Sequence, residues 1–246
     1  MNDEFYIGYD RSSPPVLARS TRWIAAAILL MALIVCGVAA ALQTPAESGT
    51  FEYGELRSFE GVLEATSLPL LRSTSDSGVV TRYLLVGSGK HGPPASLMAL
   101  HGMRVRFKGT LIQKGSVSMI EVNDPESIRS VGPAGPAPAD TTIATTAAVS
   151  LVGELVDTKC YLGVMRPGTG KVHRACAVRC LSGGIPPGLR IRSSDGEEQV
   201  ILLTGPAGER LRFDVEWAAR EVRAVGKLTV QDGLARLEVG ELSLVR

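Results

Sequence analysis

Two stretches of this chain repeat each other. Ser58-Phe-Glu-Gly-Val-Leu-Glu-Ala-Thr66 aligns with Ser150-Leu-Val-Gly-Glu-Leu-Val-Asp-Thr158, and Thr81-Arg-Tyr-Leu-Leu-Val-Gly87 with Glu198-Gln-Val-Ile-Leu-Leu-Thr204. Gly102 to Leu111 then aligns with Ala219 to Leu228, and Met119 to Val122 with Leu237 to Val239. Within each copy the segments are short, alternate apolar with polar residues and are bounded by Gly, Asp and Pro. That period-two pattern specifies antiparallel strands rather than helices. Arg104-Val-Arg-Phe-Lys108 followed by Gly109-Thr-Leu-Ile112 shows it plainly. A glycine recurs inside the strand in both copies, as Gly109 and Gly226, where glycine marks a bulge or sharp coil.

About five strongly bent strands in each copy, with a short helical piece before the fourth, resemble the oligonucleotide/oligosaccharide-binding (OB) barrel. The expected fold is therefore mainly β, with two tandem OB-like small β-barrels after one N-terminal transmembrane helix. The second copy is also similar to small exported bacterial proteins of this type. The likeness rests on Gly153-Glu154 with Asp157 and Cys160, then His173, then Cys176 and Cys180, then the strand from Val222 to Gly226. It covers residues 150–246 and implies an OB-like fold and export, without a particular activity. The first copy has Leu68-Pro69-Leu70 where the second has its cysteine insert, and is expected to be structural.

Composition marks the boundaries. Gly132-Pro-Ala-Gly-Pro-Ala-Pro-Ala-Asp140 and the Thr/Ala run after it have too little apolar bulk for a core and enough proline to stay extended. The expected organisation is a leading segment over 1–22, a span over 23–42, a first module over 51–131, a linker over 132–149 and a second module over 150–246. From Trp23 to Leu42 no residue is charged, a length that at about 1.5 Å per residue crosses a hydrocarbon core of roughly 30 Å. Arg11, Arg19 and Arg22 precede it and Glu47, Glu52 and Glu55 follow, so the positive-inside rule predicts a cytoplasmic N-terminus. The modules are then expected to be extracytoplasmic, on the periplasmic side of an inner (plasma) membrane. Ala39-Ala40-Ala41 offers the competing reading of a cleaved signal peptide, against which stand the long acidic leader and the full-length span. Cys36 reads as an apolar filler facing lipid.

Three of the four cysteines and one of the three histidines fall between Asp157 and Cys180. His173, Cys176 and Cys180 are spaced i, i+3, i+7, one face of a helix over 171–181, and Cys160 can complete a fourth vertex. Such a set suits tetrahedral zinc, and its soft thiolates equally suit cuprous copper. The competing expectation is a disulfide from Cys160 to Cys176 or Cys180, which by loop entropy adds roughly 3 kcal/mol. A thiol redox role is the third option. Cys-x-x-x-Cys is not the Cys-x-x-Cys of thioredoxin-like enzymes, and no β-α-β pattern accompanies it.

The insert is rich in base: Lys159, Arg166, Lys171, Arg174 and Arg179, with Arg190 and Arg192 beyond, against Asp157. The first five form a candidate docking patch for an anion or an acidic partner. Gly168-Thr-Gly-Lys171 fails as a phosphate loop, because Met165 stands where a glycine is needed and Val172 where Ser or Thr would hold magnesium. It reads as a turn into the helix, which Gly183-Gly184 and Pro186-Pro187 then end by capping and blockage. His91 and His101 read as loop residues, and no Ser/His/Asp arrangement stands out. A net charge of +1 and few aromatics argue against nucleic acid as a partner. The expected function is non-enzymatic: a membrane-anchored accessory or assembly subunit with a protein partner in the membrane or envelope. The alternative is a copper, zinc or haem-associated metal-handling protein, or a thiol redox protein, using Cys160, His173, Cys176 and Cys180.

Overall fold

The computed structural model describes residues 14–42, 49–66, 68–135, 145–193 and 196–245. Most of the leading segment and the middle of the Pro/Ala/Thr linker lie outside them. The chain divides into two compact units, residues 1–46 and 47–246.

The first unit holds one helix, α1 (Pro15–Ala41), opened by a proline at its first position, where the missing N–H costs nothing. None of its residues is buried, and it is long and apolar enough to cross a membrane.

The second unit is built of two barrels. After the short edge strand β1 (Thr50–Phe51), the first contains β2 (Arg57–Ala65), β3 (Pro69–Thr74), β4 (Val80–Gly87), helix α2 (Ala95–Met98), β5 (Met103–Lys114) and β6 (Val117–Pro133). The second contains β7 (Thr145–Asp157), helix α3 (Arg174–Ser182), β8 (Pro187–Arg192), β9 (Glu198–Thr204), β10 (Glu221–Gln231) and β11 (Leu234–Leu244). In each, the first three strands form an antiparallel meander, the third pairs in parallel with the fifth, and the fourth closes the circuit against the first. That is the OB topology. The aligned sequence segments fall on equivalent strands.

Glycines in equivalent places explain how strands this long bend into small barrels. A Cβ at Gly61 of β2 would lie 2.4 Å from the Arg72 carbonyl oxygen, and one at Gly153 of β7 2.4 Å from that of Arg190. Gly109 and Gly226 meet the carbonyls of Glu121 and Glu238 in the same way, at 2.8 and 2.0 Å. Only a residue without a side chain lets the neighbouring strand approach so closely.

Side chains sort into three large cores and a small fourth, where Ala177 and Leu181 of α3 meet Ala218. Leu63, Leu71, Leu85, Val105, Phe107 and Ile120 fill the first barrel, and Leu155, Leu189, Ile201, Leu203, Val222 and Leu237 the second. A third core lies between the barrels, made of Leu70, Leu84, Val86, Ile112 and Met119 from the first and Val156, Leu162, Ile185, Val200 and Leu202 from the second. Equivalent strands therefore line the seam from both sides. This accounts for the unbroken apolar runs Leu84-Leu85-Val86 and Val200-Ile201-Leu202-Leu203: one face fills a barrel, the other the seam.

Polar contacts lock the seam. Arg82 pairs with Asp232, Lys114 lies 3.8 Å from Glu198, Arg166 donates to the Gly49 carbonyl at 3.0 Å and Ser116 to the Gly233 carbonyl at 3.2 Å. Arg190, hydrogen-bonded to Glu198, holds that carboxyl down at about 2 against the opposing effect of burial, with Arg192 and Lys114 assisting. A carboxylate whose folded value is depressed stabilises fully above its ordinary value of 4.5 and loses that contribution as pH falls toward 2. Denaturant titrations over that interval should show the loss, and Glu198→Gln should be weaker at neutral pH but flatter on acidification.

Candidate metal centre

In the insert between β7 and β8, Asp157 ties the first turn to the start of the helix. At the end of β7 the Asp157 side chain caps a helical turn: Oδ1 accepts from the Cys160 backbone N–H at 2.9 Å, three residues on, as a helix-capping carboxylate does. The turn widens to π-type over Cys160–Val164. Oδ2 of the same carboxylate lies 2.8 Å from His173 Nε2, and His173 is the residue at which α3 begins. Both groups are buried, Asp157 completely. One carboxylate thus holds the Cys160 turn and the start of the helix that carries Cys176 and Cys180.

The three sulfurs converge. Cys160 Sγ is 3.9 Å from Cys176 Sγ and 4.0 Å from Cys180 Sγ, and all three lie within 4.8 Å of one another. All are free thiols. The expected disulfide is not what the structure holds, since these separations are about twice the ~2.05 Å of an S–S bond. The sulfurs face a common point rather than pairing.

His173 belongs to a second grouping, with Asp157 and Cys160, which shares Cys160 with the first. Its Nε2 is engaged by the Asp157 carboxylate, as the outer partners of metal sites commonly are. Arg174 begins the helix one residue after it, so α3 starts three residues later than the expected 171.

The first barrel is not merely structural, contrary to expectation. Lys90, in the loop after β4, brings its Nζ to 2.6 Å from Cys176 Sγ and 3.7 Å from Cys180 Sγ. Contact with the Cys176 sulfur raises the lysine above its ordinary value, so it stays an ammonium. The Cys180 thiol is lowered to about 7, chiefly by the hydrogen bond from Cys160 and also by the charge of Lys90, against burial. Cys160 moves the other way, as the donor to Cys180, as a buried thiol and as the neighbour of the Asp157 carboxylate. At neutral pH the cluster therefore holds one thiol poised to ionise beside one that keeps its proton.

Glycines let the two loops meet. A Cβ at Gly183 would sit 1.8 Å from the Lys90 carbonyl oxygen, and Gly92 N–H donates to the Gly183 carbonyl at 2.9 Å. Gly183 itself is right-handed at φ −76°, whereas Gly184 takes φ +99°. The expected glycine cap is present: Gly183 is the C-cap of α3, Gly184 N–H donates to the Leu181 carbonyl at 3.2 Å and Ile185 N–H to the Cys180 carbonyl at 3.0 Å, a Schellman pattern, and Gly183 in addition admits the close approach of the other barrel. Gly168 lies under the Cys160 carbonyl, and Gly170 N–H donates to Glu154 Oε1 at 2.5 Å, which anchors the turn before α3.

The five-residue docking patch does not form a continuous basic face. Lys159 is 2 % exposed and spends its charge on the Gly87 and Gly89 carbonyls, at 2.9 and 2.6 Å, and on Glu121 at 3.3 Å. Arg166 is bound to Gly49, and Arg174 to Glu216 at 3.1 Å, while Lys171 and Arg179 are exposed. The local excess of base is answered by acids from distant segments. Of the first-copy histidines, His101 accepts the Ala65 backbone N–H through Nδ1 at 2.9 Å, and the His91 carbonyl accepts from Gly87 N–H.

Pattern reading placed Asp157 in the motif but gave it no role at the site, and it missed Lys90. Asp157 had a signal in its Asp-x-x-Cys capping spacing. Lys90 had none, being 86 residues from Cys176 in a copy without cysteines. Compared with protein-family models and with curated protein sequences, the chain matches none.

Proposed function

We propose that this is a membrane-anchored metal-handling accessory protein, whose paired barrels hold one soft metal ion through Cys160, Cys176 and Cys180. The observation that carries the reading is the convergence of three unbonded, largely buried sulfurs. Ligands at the ~2.3 Å typical of zinc–thiolate bonds stand about 3.8 Å apart on a tetrahedron, near the 3.9 and 4.0 Å from Cys160 to the other two sulfurs, and the third pair lies within 4.8 Å. Three thiolates also suit cuprous copper. Cys160, Cys176 and Cys180 would hold the ion, whose positive charge would take the place of the Cys160 proton, and Lys90 would offset the remaining thiolate charge. Asp157 and His173 act as positioning residues that aim Cys160 at the ion. The role is binding and presentation rather than turnover. In this reading α1 is a single-pass anchor with its N-terminus cytoplasmic, and the barrels act outside the membrane on a protein partner.

The full chain, purified in detergent under reducing, oxygen-free conditions, should retain one zinc or cuprous ion per chain after gel filtration. The ion should be absent from Cys180→Ser and present in Cys36→Ser, since Cys36 lies in α1. Metal-free protein with all thiols titratable would overturn the reading.

A further inference from the structure

Lys90 and Cys176 meet across the seam, one from the loop after β4 and the other from α3. Both are half-buried, so small oxidants reach them. Backbone contacts fix both partners: the Gly92 to Gly183 hydrogen bond and the packing of Gly183 beneath the Lys90 carbonyl hold the loop against the end of α3. The separation itself is informative. An N–H donor stands about 2.9 Å from an oxygen acceptor, and the larger sulfur atom requires more. Lys90 Nζ is 2.6 Å from Cys176 Sγ, too close for an ordinary hydrogen bond to sulfur and too far for a direct N–S bond. Two single bonds of about 1.5 Å that meet near the tetrahedral angle span about 2.5 Å. The gap is the width of one bridging atom.

We infer that Lys90 and Cys176 form a covalent N–O–S bridge on oxidation by dioxygen. Cys176 and Lys90 (R–SH and R′–NH2, or the same atoms as thiolate and ammonium) react with O2 to give R–S–O–NH–R′ and H2O. The S–H bond and one N–H bond break, and an S–O and an N–O bond form. One oxygen atom stays in the bridge, and the other leaves as water with the two hydrogens. Sulfur and nitrogen each give up two electrons, and dioxygen takes all four. The bridge ties the first barrel to the second and removes Cys176 from the cluster. Cys160 and Cys180 alone remain, so oxidation dismantles a three-sulfur site. Two equivalents of a dithiol, each oxidised to its disulfide, supply the four electrons and four hydrogens that restore thiol and amine, the bridging oxygen leaving as water. The inference uses the same cysteine as the proposed metal site but does not rest on that site binding metal.

Intact mass spectrometry of the metal-free full chain, kept in air-saturated buffer and then treated with dithiothreitol, tests it. The expected product is heavier by about 14 mass units, one oxygen gained and two hydrogens lost, and returns to the starting mass with reductant, unlike a methylated lysine. Proteolysis should yield one cross-linked pair containing Lys90 and Cys176. Lys90→Arg, which keeps the positive charge, should lack the product. An unchanged mass, a loss of about 2 units from a disulfide, or a gain of about 16 or 32 units confined to cysteine would each overturn the bridge. Metal stoichiometry of reduced Lys90→Arg separates this result from the function proposed above: an ion retained by a variant whose parent never forms the bridge leaves the metal reading intact.

Discussion

Lys159→Met is expected to lower the unfolding free energy by about 3–5 kcal/mol, the usual cost of removing one partner from a buried ion pair. The lysine leaves β7 just before the Cys160 turn and crosses the seam to Glu121, itself buried, and to two carbonyls of the loop that also carries Lys90. Methionine keeps the apolar stem and removes only the ammonium. Glu121 is then left with the Ser88 hydroxyl at 3.1 Å as its remaining partner here, a poor match for a desolvated carboxylate. Chemical denaturation of the full chain reads the loss directly. The double variant Lys159→Met/Glu121→Gln should recover part of it, because the orphaned charge has gone. A loss under about 1 kcal/mol would place the pair with surface salt bridges of little consequence.

The second large effect is ligand-linked. A protein that binds an ion only when folded gains about 4 kcal/mol at a thousand-fold excess of ion over the dissociation constant. Zinc or cuprous copper should therefore raise the thermal midpoint of the reduced chain by several degrees, and Cys160→Ser should abolish the shift. Cys160 is chosen because it alone belongs to both clusters of candidate ligands. Asp157→Asn should retain binding with an affinity about 10–100-fold lower, as loss of an outer partner that orients a ligand generally does. It should also be less stable without metal, since the amide presents a donor where His173 or the Cys160 N–H needs an acceptor. An unchanged midpoint with excess ion in the reduced wild-type chain would remove the metal from the account. Full binding in Cys160→Ser would move the site elsewhere.

The cysteine cluster was legible from spacing, but its state was not. Cys160, Cys176 and Cys180 lie close enough in sequence to be read as one site, and the helical spacing of the last two puts them on one face. Whether they pair, coordinate or react depends on where the sulfurs point, and that follows from the Asp157 carboxylate tying the Cys160 turn to the start of α3. The basic patch illustrates the opposite hazard. A run of like charges counted along the chain ignores acids that the fold brings from Glu121, Glu154, Glu198 and Glu216.

By itself the sequence determined the units: an apolar helix, then two barrels of one topology, because alternation, bounding turns and recurrent glycines are local properties that each copy carries in full. It also placed the three cysteines in one insert. Only the tertiary structure decided that the barrels share a buried core, that Lys159 serves the seam and that Lys90 stands against the cysteines. Those outcomes depend on contacts between residues some 70 to 90 positions apart. The unbroken apolar runs of β4 and β9 are covered on both faces, yet nothing in their composition says that each covers the other.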